Sequence, residues 1–181
     1  AHDPYDSEHL RTNALFLYRI MAVIFITGYV ILPANRWNPP KHFLRSVFLM
    51  IFLLLPFPLS GIAIIHGRII GMAGFGGFSG IESALMGLAA FLCVTCVFTC
   101  LYPRWKERSE SFGMLPVAGA AMVCLLPVVG IIMFTGGRNV DTVGHLTGYL
   151  YGLFIPLAVS LLMEGQGQHW KSGIIGLLIA V

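Results

Sequence analysis

The chain has 181 residues, 57% of them hydrophobic and only 10% charged, with a mean hydropathy of +0.83. A soluble domain needs about a quarter of its residues charged to cover its surface, so the composition excludes one. The formal net charge of +3 is spread over short polar stretches rather than gathered into a stripe, so it says little about nucleic acid and more about which loops face the cytoplasm; no nucleic-acid partner is expected, and the bilayer is the expected surroundings.

In chain order, Ala1 to Glu8 is polar and turn-forming, as at the end of a loop whose preceding helix is missing. Apolar runs follow from about Thr12 to Leu32, Phe43 to Ile65, Ser79 to Tyr102, Leu115 to Phe134 and His145 to Met163. Each is long enough for about 30 Å of hydrocarbon. A sixth run from Ser172 to Val181 reaches only about 15 Å and stops within a helix. The expectation is an all-α, polytopic transmembrane bundle of about five full spans plus a partial sixth. It forms one domain over residues 1–181, truncated at both ends.

Charge orients the spans. The stretch after the first span carries Arg36, Lys41 and Arg45, and the one after the third carries Arg104, Lys106 and Arg108. The other two connections hold one arginine each, Arg68 and Arg138. Cytoplasmic loops are enriched in Lys and Arg, so the first two stretches are cytoplasmic. The first, third and fifth spans then run in the same direction, and their N-terminal ends share one level near the outer face.

That level gathers the residues capable of chemistry. His9 and Asn13, one helical turn apart, open the first span, Ser79 opens the third, and His145 opens the fifth. Gly80, Ala84 and Gly87 form a smooth strip on the third span, while Gly148 and Gly152 form a GxxxG strip on the fifth, so the two can pack closely. His145, Gly148 and Gly152 fall at i, i+3 and i+7, which turns the imidazole toward the third span and predicts contact between Ser79 and His145. A serine hydroxyl becomes a nucleophile when a base accepts its proton, and an imidazole suits that task. Acyl transfer also needs donors for the developing oxyanion, and the Ser79 backbone N–H, the Asn13 amide and the His9 ring are available.

Three motifs in this order resemble those of the rhomboid intramembrane serine proteases: His-x-x-x-Asn at His9 to Asn13, Gly-x-Ser-Gly at Gly77 to Gly80 with a further glycine at Gly87, and His-x-x-Gly-x-x-x-Gly at His145 to Gly152. The resemblance implies a rhomboid-like bundle and a serine endopeptidase with a Ser–His dyad. By the match, Ser79 is the nucleophile, His145 the general base and acid, and His9 and Asn13 belong to the oxyanion hole, with Gly77, Gly80, Gly148 and Gly152 in support. It further implies transmembrane-helix protein substrates cut near their outer ends, no cofactor, no metal, and an integral, multi-pass protein of the plasma membrane with its site toward the non-cytoplasmic face. The alternative is an inactive rhomboid-like protein that binds transmembrane clients. Three departures accompany the match: the family's first helix and the loop after it would precede Ala1, Ser83 stands where an aromatic residue often stacks on the histidine, and Gly144 stands where alanine is common before the histidine.

Other features read as structural. Cys93, Cys96 and Cys100 share a helical face, but no His, Asp or Glu joins them, so inert packing is the reading. Arg19 and Glu82 lie within spans, where an unpaired charge is costly, and either pair with each other across the first and third spans or reach water separately. Asp141, one turn before His145, either holds the imidazole or is a solvated loop carboxylate.

Overall fold

The computed structural model describes residues 7–34, 42–61, 65, 79–101, 114–135 and 142–164. These are helical apart from turns at His42 and at Leu54 and Leu55, with no strand among the described residues. With no water in hydrocarbon to satisfy an open backbone, a helix that bonds its own N–H and C=O groups is what such apolar runs must form.

Helix α1 runs Ser7–Phe25 and continues through a π-helical stretch, Ile26–Ile31, into a last turn, Leu32–Ala34. Helix α2 is Phe43–Leu53, α3 is Ser79–Cys96 with a π-helical extension Val97–Leu101, α4 is Met114–Thr135 and α5 is Thr142–Glu164. Among the described residues, five segments are long and apolar enough to cross a membrane: Asn13–Ala34, Phe43–Gly61, Gly80–Thr99, Leu115–Met133 and Thr142–Ser160. The expected spans agree to within a few residues, except that α1 begins five residues and α5 three residues before the predicted starts. The partial sixth run lies outside the described residues.

Helix α2 is interrupted for a local reason. Pro56 and Pro58 supply no N–H, and proline disfavours helical geometry in the residue before it. The chain compensates with shifted bonds: Leu54 and Leu55 both donate to the Met50 carbonyl, at 3.0 and 3.4 Å, and Phe57 donates to Leu54 at 3.2 Å. The Ser60 hydroxyl donates to the Pro56 carbonyl at 2.7 Å, and helical geometry resumes over residues 56–61.

Contacts between helices fix their directions. Phe25 stacks on Phe48 with centroids 6.3 Å apart and Gly28 lies against Leu44, so α1 and α2 are antiparallel. Phe43 sits 6.4 Å from Phe91 and Leu59 lies against Gly80, so α2 and α3 are antiparallel too. It follows that α1 and α3 run parallel. Gly148 against Gly80 and Gly152 against Ala84 make α5 parallel to α3 as well, as the charge pattern predicted.

Helix α3 is central and touches each of the other four. Its Ala84, Leu85, Leu88 and Leu92 join Ile20, Ile24, Val47, Ile51 and Ile155 in the main apolar core, and on its other side Ala90 meets Tyr149 and Ile131. Helix α4 is the least buried span, with Leu125, Leu126, Ile132 and Met133 exposed. Such a flank costs nothing against lipid tails, which are as apolar as leucine, so packing and polar contacts must hold α4 in place.

Candidate functional site

The glycine strips meet as a seam. A Cβ built on Gly148 would strike the Gly80 carbonyl, one on Gly152 the Ala84 carbonyl, and one on Gly87 the Tyr149 carbonyl, with the Leu153 nitrogen only 2.8 Å away. The obstacle is backbone each time. Both strips of small residues therefore sit where the sequence placed them, and α3 with α5 is the most extensive pairing in the bundle.

Close packing sets the register. On α3 and α5, Gly80 and Gly148 are level; on α1 and α3, Gly28 meets Leu92 and Thr27 shares a side-chain hydrogen bond with Cys93. Counting back along the helices, Asn13 and His145 each come level with Ser79 to within two residues, about 3 Å at 1.5 Å per residue. The residues predicted to cooperate thus lie on three parallel helices at one depth. His145 and Asn13 are both half-buried, and both take part in interactions of their own.

Other predicted positions are described only in part. The backbone of Ser79 is the first residue of α3 and that of His9 lies in the first turn of α1, but both side chains lie outside the described residues. Gly77 and Asp141 lie outside them altogether. Gly80, Gly148 and Gly152 are buried in the seam, and Ser83, one turn below Ser79, is 4% exposed.

One side chain escaped the sequence reading. Tyr149 is fully buried at 0% exposure, and its hydroxyl donates to the Cys124 carbonyl of α4 at 2.9 Å. The available signal was a phenol inside an apolar span, since a buried hydroxyl needs a partner and the carbonyls of its own helix are taken up by intrahelical bonds. Pro127 lies within α4, where its missing N–H leaves the carbonyl of Val123, the residue before Cys124, without its usual intrahelical donor.

Of the two readings for Arg19 and Glu82, their placement favours separate surroundings over a pair. Arg19 is exposed, on a flank of α1 that turns away from the Ile20, Ile24 and Thr27 side packed on the bundle, while Glu82 is half-buried on α3 and has interactions of its own. One residue of helical rotation, about 100°, separates Arg19 from the buried Ile20, enough to send the guanidinium outward. Cys93, Cys96 and Cys124 form no disulfide, and the side chain of Cys100 lies outside the described residues.

The arrangement sets a serine, a histidine and an asparagine at one level of three parallel helices. In comparisons with known proteins, no family model, no curated protein and no solved structure matches this chain.

Proposed function

We propose that this protein is an intramembrane serine endopeptidase of rhomboid type, hydrolysing peptide bonds in or near transmembrane helices of other membrane proteins. The observation that carries the reading is the parallel glycine seam, Gly80 on Gly148 and Ala84 on Gly152, which brings His145 to the depth of Ser79. Two helices held backbone to backbone leave little room between a serine on one and a histidine at matching height on the other.

In this reading Ser79 attacks the scissile carbonyl and His145 takes its proton, later returning it to the leaving amine. Negative charge then gathers on the carbonyl oxygen, and Asn13 on the parallel α1 is a donor at that depth, with His9 one turn above it. The substrate reaches the site within the bilayer, and the site faces the non-cytoplasmic side of the plasma membrane.

The test combines labelling by a fluorophosphonate probe with cleavage of a generic transmembrane substrate, for wild type, Ser79→Ala and His145→Ala. Loss of both signals in both variants is expected. Undiminished cleavage by Ser79→Ala would overturn the protease reading, and client binding without labelling of wild type would favour a non-catalytic, client-binding protein instead.

A further inference from the structure

We propose that Tyr149 is a positioning residue for His145, a buried latch that sets the rotation and depth of the imidazole by tying α5 to α4. The proposal rests on the serine–histidine reading and names what holds the histidine, given that Ser83 supplies no ring to stack on it.

Helical geometry places His145 between two fixed features. At about 100° per residue, Gly148 and Gly152 lie about 60° and 20° to one side of it and Tyr149 about 40° to the other. The glycine side is pressed on α3 by the seam. The Tyr149 side is pinned to α4 by the hydroxyl bond to Cys124, 2.9 Å long. The imidazole therefore leaves α5 toward the line where α3 and α4 meet, with the helix held on both flanks.

The ring itself is well placed to act. A side chain on a helix leans toward the N-terminus and covers the turn before its own Cα. For Tyr149 that is the turn bearing His145 and Leu146. The ring belongs to a buried cluster with Ala90 and Ile131, against which Met86, Val123, Val128, Leu146 and Leu153 pack, so three helices wall it one turn below the histidine. Releasing the Cys124 carbonyl would cost the buried hydroxyl that acceptor, which favours the closed latch.

A latch of this kind acts on reactivity per site rather than on how much protein folds. The probe-labelling rate constant and the final labelled fraction separate the two, because misfolded molecules lower the endpoint and leave the rate constant of the remainder alone. Tyr149→Phe keeps the ring and removes the donor; its rate constant should fall about fivefold to tenfold with the endpoint near that of wild type. A wild-type rate constant in Tyr149→Phe overturns the positioning role while leaving the serine–histidine reading intact. If Tyr149→Phe gives no folded protein, Pro127→Ala carries the test: it keeps Tyr149, restores an N–H to α4 and shifts the turn holding the acceptor. Slower labelling supports the latch, and an unchanged rate overturns it. If wild type is not labelled, or Ser79→Ala is labelled equally fast, the underlying reading fails, and the latch with it.

Discussion

The carbonyl of Ala84 occupies the space that a side chain on Gly152 would need. Because the obstacle is backbone, neither residue can yield without moving a helix, and the same holds for Gly148 against the Gly80 carbonyl and Gly87 against Tyr149. The separation of α3 and α5 is thus set by the absence of three methyl groups.

A graded glycine series follows. Gly152→Ala, Gly148→Ala and Gly87→Ala should each destabilise by about 1–3 kcal/mol or more, since overpacking here forces helices apart. At Gly80 and Gly28 the nearest obstacle is the tip of a leucine, Leu59 at 2.6 Å and Leu44 at 2.8 Å, which can swing away, so alanine there should cost less. Gly119 and Gly130 have nothing within 4 Å, and alanine at either should be neutral or stabilising by up to about 1 kcal/mol through helix propensity. Thermal unfolding in detergent ranks the variants; equal losses for Gly152→Ala and Gly119→Ala would show that the seam is not close-packed.

On the proposed protease reading, activity should divide by role. Ser79→Ala and His145→Ala are expected to abolish cleavage, whereas Asn13→Ala should lower kcat by about 10²–10³, the worth of one oxyanion donor. Steady-state kinetics on a transmembrane substrate distinguishes them. An Asn13→Ala enzyme with unchanged kcat would remove α1 from the site.

How much of this the sequence disclosed depends on the distance over which the determining contact acts. Spans, directions and the seam of Gly80, Ala84, Gly148 and Gly152 are properties of helical period and loop charge, so they could be counted along the chain. The Tyr149 bond to Cys124 joins residues 25 positions apart on different helices, and no local pattern says which carbonyl a phenol will reach. Arg19 shows the converse. Two opposite charges in neighbouring spans suggested a pair, yet a rotation of one residue on α1, decided by packing of Ile20 and Ile24, settles the arginine on the outer flank.

That outward placement makes its own prediction. Double-mutant cycles between Arg19 and Glu82, including the charge swap, should give coupling below about 0.5 kcal/mol, the level of independent sites. Arg19→Met should be tolerated, because it replaces an exposed cation on a lipid-facing helix by an apolar chain of similar length. Unfolding measurements on the two single variants and the swap decide it, and rescue by the swap would restore the pair.

His42 precedes α2 with φ of 73°, the one positive value outside glycine among the described residues. A side chain in this left-handed region costs about 1–2 kcal/mol, and glycine avoids that cost while losing more entropy on folding. His42→Gly should therefore raise stability slightly, by less than about 1 kcal/mol, and the β-branched His42→Val should lower it. A melting temperature that moves the opposite way in both variants would refute the account.

The seam also governs how the protein responds to temperature. Its glycines face carbonyls of Gly80, Ala84 and Tyr149, an arrangement suited to Cα–H···O contacts of about 0.5–1 kcal/mol each. Parting α3 from α5 inside a bilayer exposes apolar surface to lipid rather than to water, so the heat-capacity change that weakens apolar association in the cold is small. The alignment of the two helices that carry Ser79 and His145 is accordingly held almost as firmly in a cold membrane as in a warm one.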